Sequence, residues 1–323
     1  MRNNAARLSV FLVHCLIAVF VMTGCGNAGY HQSVGDFQTA SAVVIATSRT
    51  YLTELNKVER NNVIDNAVHG NDVAARKIHP DILRAKQVFS TDDIAVRLSA
   101  LDQLQKYCEL LQSLANSDAP DRMSAQAKEL SDSLTKLAGT LNDSKIVSNA
   151  ANARFLAASG VATSVFQVIA TYVIEQKIDK ALNDAITKGE KPVNELIAAL
   201  KSDLSIAYER RRTALDKELE HAFDTYNAEA AKTDSNPKSL TPLAKTLSDT
   251  LDRYEAFPNS RPQDALDAMS AAHTALVQYA RSEKKTKDFQ QLVGEMNTFV
   301  TRAKLVADAI IALKKTFPNE SKE

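Results

Sequence analysis

The stretch FQQLVGEMNTFVTRAKLVADAIIALKKTF fills residues 289–317, and its spacing decides the fold. Phe289, Leu292, Met296, Phe299, Ala303, Val306, Ile310, Leu313 and Phe317 follow one another in alternating steps of three and four. On a helix of 3.6 residues per turn those steps draw one apolar stripe, the pattern of a helix packed along its whole length.

Working outward, the same spacing recurs. Ile94, Leu98, Leu101, Leu104, Cys108, Leu111 and Ala115 form a second stripe, and Met123, Ala127, Leu130, Leu134, Leu137 and Leu141 a third. Before the second stands Ser90-Thr91-Asp92-Asp93, where Ser90 is placed to cap the helix and Asp93 to answer it. Cys108 lies on the stripe and reads as a small core residue. An earlier helix is expected over about 33–68, ending at Gly70, a residue suited to a helix C-terminus. From about Asp143 to Lys188 the pattern is helical throughout, and another helix is expected from Pro192 to about Ala231. Gly189-Glu190-Lys191-Pro192 between them reads as a turn, which makes the pair an antiparallel hairpin with arms of about 40 residues. KTDSNPKSLTP and FPNSRP are loops bounding a short helix at about 242–256. Two more helices follow, with RSEKKTK at 281–287 as the stretch through which they can fuse. No strand-like alternation and no fixed-period repeat is visible. The expectation is an all-α, elongated bundle of long antiparallel helices around a central hairpin.

Composition agrees. Nine glycines and eight prolines in 323 residues leave few places for hairpin turns, against usual frequencies of about 7% and 5%. Lysine plus arginine equal aspartate plus glutamate at 39 each. That balance offers no basic face for nucleic acid.

The N-terminus carries a different signal. MRNNAARLSV holds Arg2 and Arg7 and no acid, and VFLVHCLIAVFVM follows at 10–22. This apolar run is shorter than the roughly 18 residues that read as a membrane-spanning helix, and has the length of a secretory h-region. It closes on Met22-Thr23-Gly24-Cys25. In these residues the leader resembles those of bacterial lipoproteins, which end in an aliphatic residue, two small residues and cysteine. The resemblance covers about the first 27 residues. It implies cleavage before Cys25, a diacylglyceryl thioether on that cysteine and an acylated amine, hence a protein held by lipid in the cell envelope. Gly26, where an aspartate would signal inner-membrane retention, implies the outer membrane, facing the periplasm. The expected organisation is a leader at 1–24, a lipidated tether at 25–32 and a helical bundle at 33–323, with the loop 232–241 as a candidate sub-boundary. Cys15 leaves with the leader and Cys25 is acylated, so Cys108 has no partner for an internal disulfide.

FLAASGVATSVFQVIATYVI, residues 155–174, has no charge and is long enough to span a bilayer. Ser159, Thr163, Gln167 and Thr171 recur every four residues, which favours a central core helix with one polar seam over a segment that inserts into membranes.

Sequence patterns for chemistry are missing: no GxSxG, HExxH, GxxxxGK or CxxC. Glu218 and His221 form a single ExxH pair, where a di-iron bundle needs two with further glutamates. His69, Asp72, His79 and Asp81 gather around Gly70, but capping and turn roles explain them. Glu209-Arg210-Arg211-Arg212 and 281–287 are locally basic, and such runs are usually solvated faces. The alternative for them is an acidic partner or lipid head groups. No catalytic, cofactor or metal site is expected, and Cys25 is the one site residue, for lipidation. The expected function is a lipid-anchored, non-catalytic protein acting through protein–protein contacts as an accessory, scaffold or immunity-type factor. The alternative is a membrane-active protein using 155–174.

Overall fold

The computed structural model describes residues 26–69, 77–116 and 178–315, together with 128, 129, 132, 160, 166 and 169. Cys25, Gly70, Asp72, the stripe from Met123 to Leu141 and the seam residues Ser159, Thr163, Gln167 and Thr171 lie outside them. The described residues are 91% helical and contain no strand, so the all-α expectation holds.

Chain order gives α1 (Gly26–His69), the short α2 (Pro80–Ala85), α3 (Thr91–Ala115), α4 (Ile178–Ala230), α5 (Pro237–Ala256), a 3-10 turn (Phe257–Ser260), α6 (Pro262–Arg281) and α7 (Thr286–Lys315). Side-chain pairs fix their directions. Asn56 Nδ2 donates to the Phe89 carbonyl at 2.7 Å and Arg49 pairs with Asp102, so α3 runs against α1. Tyr30 Oη donates to Asn183 Oδ1 at 3.0 Å and Glu59 meets Arg210 at 3.8 Å, so α4 runs with α1. Phe37 and Phe299 lie 5.7 Å apart, and Phe289 rests on Gly29, which sets α7 parallel to α1. Ser270 bonds Asn194 at 2.8 Å and Gln263 bonds Ser205 at 3.2 Å, which runs α6 back along the lower half of α4. Arg253 reaches Glu218 at 2.7 Å, so α5 runs back along the upper half. One long helix therefore serves two structures: a bundle with α1, α3, α6 and α7, and a two-helix arm with α5.

The stripes explain the core. Leu292, Met296, Phe299, Ala303, Val306 and Ile310 of α7 are all buried, as are Leu101, Leu104, Cys108, Leu111 and Ala115 of α3. Burying a large apolar side chain contributes roughly 1.5–3 kcal/mol, so these two faces alone outweigh any single cap. Ser90 Oγ accepts from Asp93 N at 3.1 Å while Asp93 accepts from Ser90 N at 3.1 Å, the reciprocal cap expected of this tetrad.

Four expectations need correction. The turn at 189–192 does not exist: α4 runs unbroken through Gly189 and Pro192, so there is no central hairpin there. A proline inside a helix costs about 3 kcal/mol. Here Pro192 is itself buried, and the neighbouring Val193, Leu196, Ile197 and Leu200 are at most 2% exposed, so packing overrides the local preference. Second, α1 starts at Gly26 rather than near Ser33, and Tyr30, within the stretch expected as tether, is 3% exposed. Third, α6 and α7 are not fused. Ser282 is extended and Lys284 adopts φ 57°, which breaks the helix before Asp288 caps the next one by accepting from Lys285 N at 3.1 Å. The short helix also begins earlier than expected, at Pro237, because Asn236 Oδ1 accepts from Lys238 N and Ser239 N at 3.0 and 3.3 Å.

Candidate functional site

Two polar side-chain pairs are buried in the bundle. In the first, Tyr107 of α3 and His273 of α6 meet, with Tyr107 Oη 2.9 Å from His273 Nε2 and 3.4 Å from the Ala185 carbonyl. Both side chains are 0% exposed. Tyr107 stacks on Phe166 with centroids 4.9 Å apart, and Phe37 covers His273 at 5.8 Å. His273 Nδ1 has no hydrogen-bond partner among the described residues. A chain in which Nε2–H donates to Tyr107 Oη and the tyrosine hydroxyl donates to Ala185 O leaves no N–H unpaired, so we assign that tautomer. Burial pushes the imidazole down to about 3 and pushes the Tyr107 phenol well above its ordinary range. A base that is neutral, enclosed by aromatic rings and out of reach of solvent has no route to a substrate. This pair is a structural joint.

Gly189 belongs to the same joint. A Cβ placed there would overlap Tyr107 Oη and stand 2.7 Å from Cζ. Tyr107 has no room to retreat, being stacked on Phe166 and bonded to His273. Gly189→Ala would gain about 1 kcal/mol of helix propensity. Overpacking a close-packed core costs about 1–3 kcal/mol, so the expected net change is a loss of roughly 1–2 kcal/mol. Urea unfolding measures it, and a stabilised variant would show that the contact is soft.

The second group is Arg97 of α3 with Asp203 of α4, joined at 2.7 Å with side chains 1% and 2% exposed. Arg97 also donates to the Asp93 carbonyl at 2.9 Å and lies 3.9 Å from the centroid of Phe89. Burial pushes the Asp203 carboxyl above its usual range against the pull of Arg97. The guanidinium is fully enclosed by its own helix, Asp203 and an aromatic face, so it too is structural.

The residues singled out in the sequence fall elsewhere. Glu218 bridges Arg211 at 3.6 Å and Arg253 at 2.7 Å, while His221 is exposed and meets Thr225 at 3.5 Å. The ExxH carboxylate is thus taken by two arginines. Arg211, expected on a solvated face, has a side chain only 16% exposed, whereas Arg210 and Arg212 are 59% exposed. His79 is the extended residue before Pro80, and Asp81 faces Arg84 at 3.7 Å. No group of three or more His, Cys, Asp or Glu among the described residues is placed to hold a metal ion. Cys108 is a buried free thiol, and burial pushes it up to about 12, so it is inert. Phe166 and Ile169, the described apolar residues of 155–174, are both 0% exposed and belong to the core. No helix among the described residues is long and apolar enough to cross a membrane.

An open groove of about 350 Å³ runs between α6 and α7, lined among others by Asp267, Ser270, Thr274, Gln278, Gln291 and Glu295. Gln291 donates to Gln278 at 3.1 Å across one part, and Lys201 holds Asp267 at 2.6 Å. Sites for small molecules are enclosed and mostly apolar with a few converging polar groups. This groove is open and polar, and one of its two carboxylates, Asp267, is already paired.

The surfaces that stand apart are the two ends. At one end Tyr30, Tyr279 and Phe289 pack together, with Tyr30 and Tyr279 centroids 4.8 Å apart and Tyr279 and Phe289 6.0 Å apart, beneath the basic loop at 282–285. At the other end α4 and α5 project as the arm, in which Ala222 is the buried residue of the final α4 turns and Phe223 and Tyr254 are each 41% exposed. The chain matches no protein-family model, no curated protein and no solved structure with which it was compared.

Proposed function

We propose that this protein is a lipid-anchored, non-catalytic component of the bacterial cell envelope. It is held at the outer membrane by acyl chains on Cys25 and presents the α4–α5 arm to a protein partner, as a scaffold or accessory factor. The observation that carries this reading is the distance between the ends. Cys25 directly precedes Gly26, where α1 begins, and Tyr30 on that helix is level with Asn183 of α4. From Asn183 to Ala230 the same helix continues for about 70 Å at 1.5 Å per residue. A protein anchored at Cys25 would hold its arm that far from the bilayer. Exposed aromatic residues such as Phe223 and Tyr254 are the kind that anchor protein interfaces. The burial of Phe166 and Ile169 favours a core role for 155–174 over insertion.

Crosslinking of cells that make the full-length chain tests the proposal, with Cys25→Ser and a Phe223→Ala, Tyr254→Ala double variant as controls. We expect Cys25→Ser to leave the membrane fraction and to lose the mass of the lipid. One protein should be recovered in near-equal amount from the wild type and at least tenfold less from the arm variant. Recovery of the chain alone, or of a partner indifferent to the arm, would remove the interaction reading.

A further inference from the structure

The basic stretch 281–287 is placed by the fold at the base of the bundle, beside the start of α1. Lys284 Nζ lies 5.6 Å from the Tyr30 ring centroid, and Gly29 is in contact with Phe289 of α7. Tyr30 is four residues into α1 from its first residue, Gly26, about 6 Å along the helix axis, and Cys25 is the residue before Gly26 in the sequence. With α1 starting at Gly26, little chain remains to hold the bundle off whatever Cys25 is attached to.

We infer that the loop carrying Lys284, Lys285 and Lys287 is a docking surface for an anionic phospholipid membrane, which sets the bundle upright on its anchor with the arm pointing away. The inference rests on the anchored reading for its geometry. Charge is the second support. Lys284, Lys285 and Lys287 are exposed, with Arg281 beside them held by Glu190 at 2.8 Å. Against them stand Glu283, paired with Lys285 at 2.5 Å, and Asp288, whose carboxylate is occupied with the Lys285 backbone. With Glu190 counted against Arg281, four cations face three carboxylates, an excess of one in a chain whose total charge is balanced, and Lys284 and Lys287 are the two cations outside the pairs with Glu190 and Glu283. Backbone geometry holds the cluster out: the φ of 57° at Lys284 turns the chain at the tip of the loop. The aromatic floor of Tyr30, Tyr279 and Phe289 keeps it there.

A cation near an anionic bilayer contributes about 1 kcal/mol, a factor of roughly five each. The Lys285–Glu283 pair reduces its share, so neutralising all three lysines is expected to weaken partition at least tenfold. The test uses the full mature chain with Cys25→Ser, so that no acyl chain takes part. Sedimentation measures its partition onto phosphatidylglycerol vesicles and onto phosphatidylcholine vesicles at low salt. Expected is binding to the anionic vesicles only, abolished at about 0.5 M salt, where screening shortens to a few ångströms. K284Q/K285Q/K287Q should reduce it at least tenfold. Neutralising Lys232, Lys238 and Lys245 on the arm should leave it unchanged, and both variants should keep the wild-type unfolding midpoint. Equal binding by the two variants, or no salt-sensitive binding by the parent, overturns the inference. Loss of membrane association by Cys25→Ser in cells is a separate result and bears only on the anchor.

Discussion

Asp203→Ala is expected to lose about 3–5 kcal/mol of folding stability, because it removes the carboxylate that Arg97 Nε reaches at 2.7 Å inside the bundle core. The side chains are 1% and 2% exposed, so water does not replace the missing partner. Arg97→Ala should cost as much, with the added loss of the packing on Phe89. The sign of the ionisation shift adds a second expectation. Burial raises the Asp203 carboxyl in spite of Arg97 beside it, which means that desolvation outweighs the attraction between the two charges. Replacing both partners by apolar residues of similar size, Arg97→Met with Asp203→Leu, should therefore recover most of the loss and end within about 1–2 kcal/mol of the wild type. Urea unfolding of the two single variants and the double variant decides it. A double variant as unstable as either single one would mean that the pair itself, rather than the stranding of one charge, holds α3 to α4.

Acid should loosen the other joint. His273 is neutral in the fold, with burial holding its imidazole near 3 instead of 6.5. Between those values the unfolded chain binds a proton that the folded chain refuses, so stability falls as the pH falls through this window. The slope is at most about 1.4 kcal/mol per pH unit from this one group, which amounts to about 2 kcal/mol between pH 7 and 5. Among the described residues the imidazole faces Tyr107 and Phe37, and Nδ1 meets no hydrogen-bond partner, so burial alone sets the shift. Unfolding midpoints at pH 7 and pH 5 measure the effect in the wild type and in His273→Gln, which keeps a polar group beside Tyr107 but does not titrate. The glutamine variant should show a slope shallower by that amount. Identical slopes would assign the acid sensitivity to other groups.

These two joints also show what periodicity hides. The stripe at Phe289–Ile310 is legible in the spacing of its own residues and the cap at Ser90 is a contact three residues long, so the sequence displays both directly. Arg97 and Asp203 are 106 residues apart. A hint existed, since Arg97 sits three residues from Ile94 and four from Leu101, on the apolar side of its helix. Nothing local says which carboxylate meets it. His273, between Met269 and Leu276–Val277, carries the same kind of hint and the same gap. The error at 189–192 has the opposite origin. Glycine and proline were read by their local preferences, yet Gly189 is required by Tyr107 from another helix, and Pro192 is carried inside a packed face. At the N-terminus, 25–32 was expected as the tether between the lipidated cysteine and the first helix, while the partners that bury Tyr30, Asn183 and Tyr279, lie far along the chain.

The unbroken course of α4 has a mechanical consequence. Its lower half is clamped among α1, α3 and α6, and its upper half is the arm, with no loop between them to absorb rotation. The helix is then a lever about 70 Å long beyond the level of Asn183, and a tilt of one degree at its base sweeps the tip through roughly 1 Å. Small changes in how the base of the bundle sits are thus converted into displacements at the far end large enough to make or miss a side-chain contact.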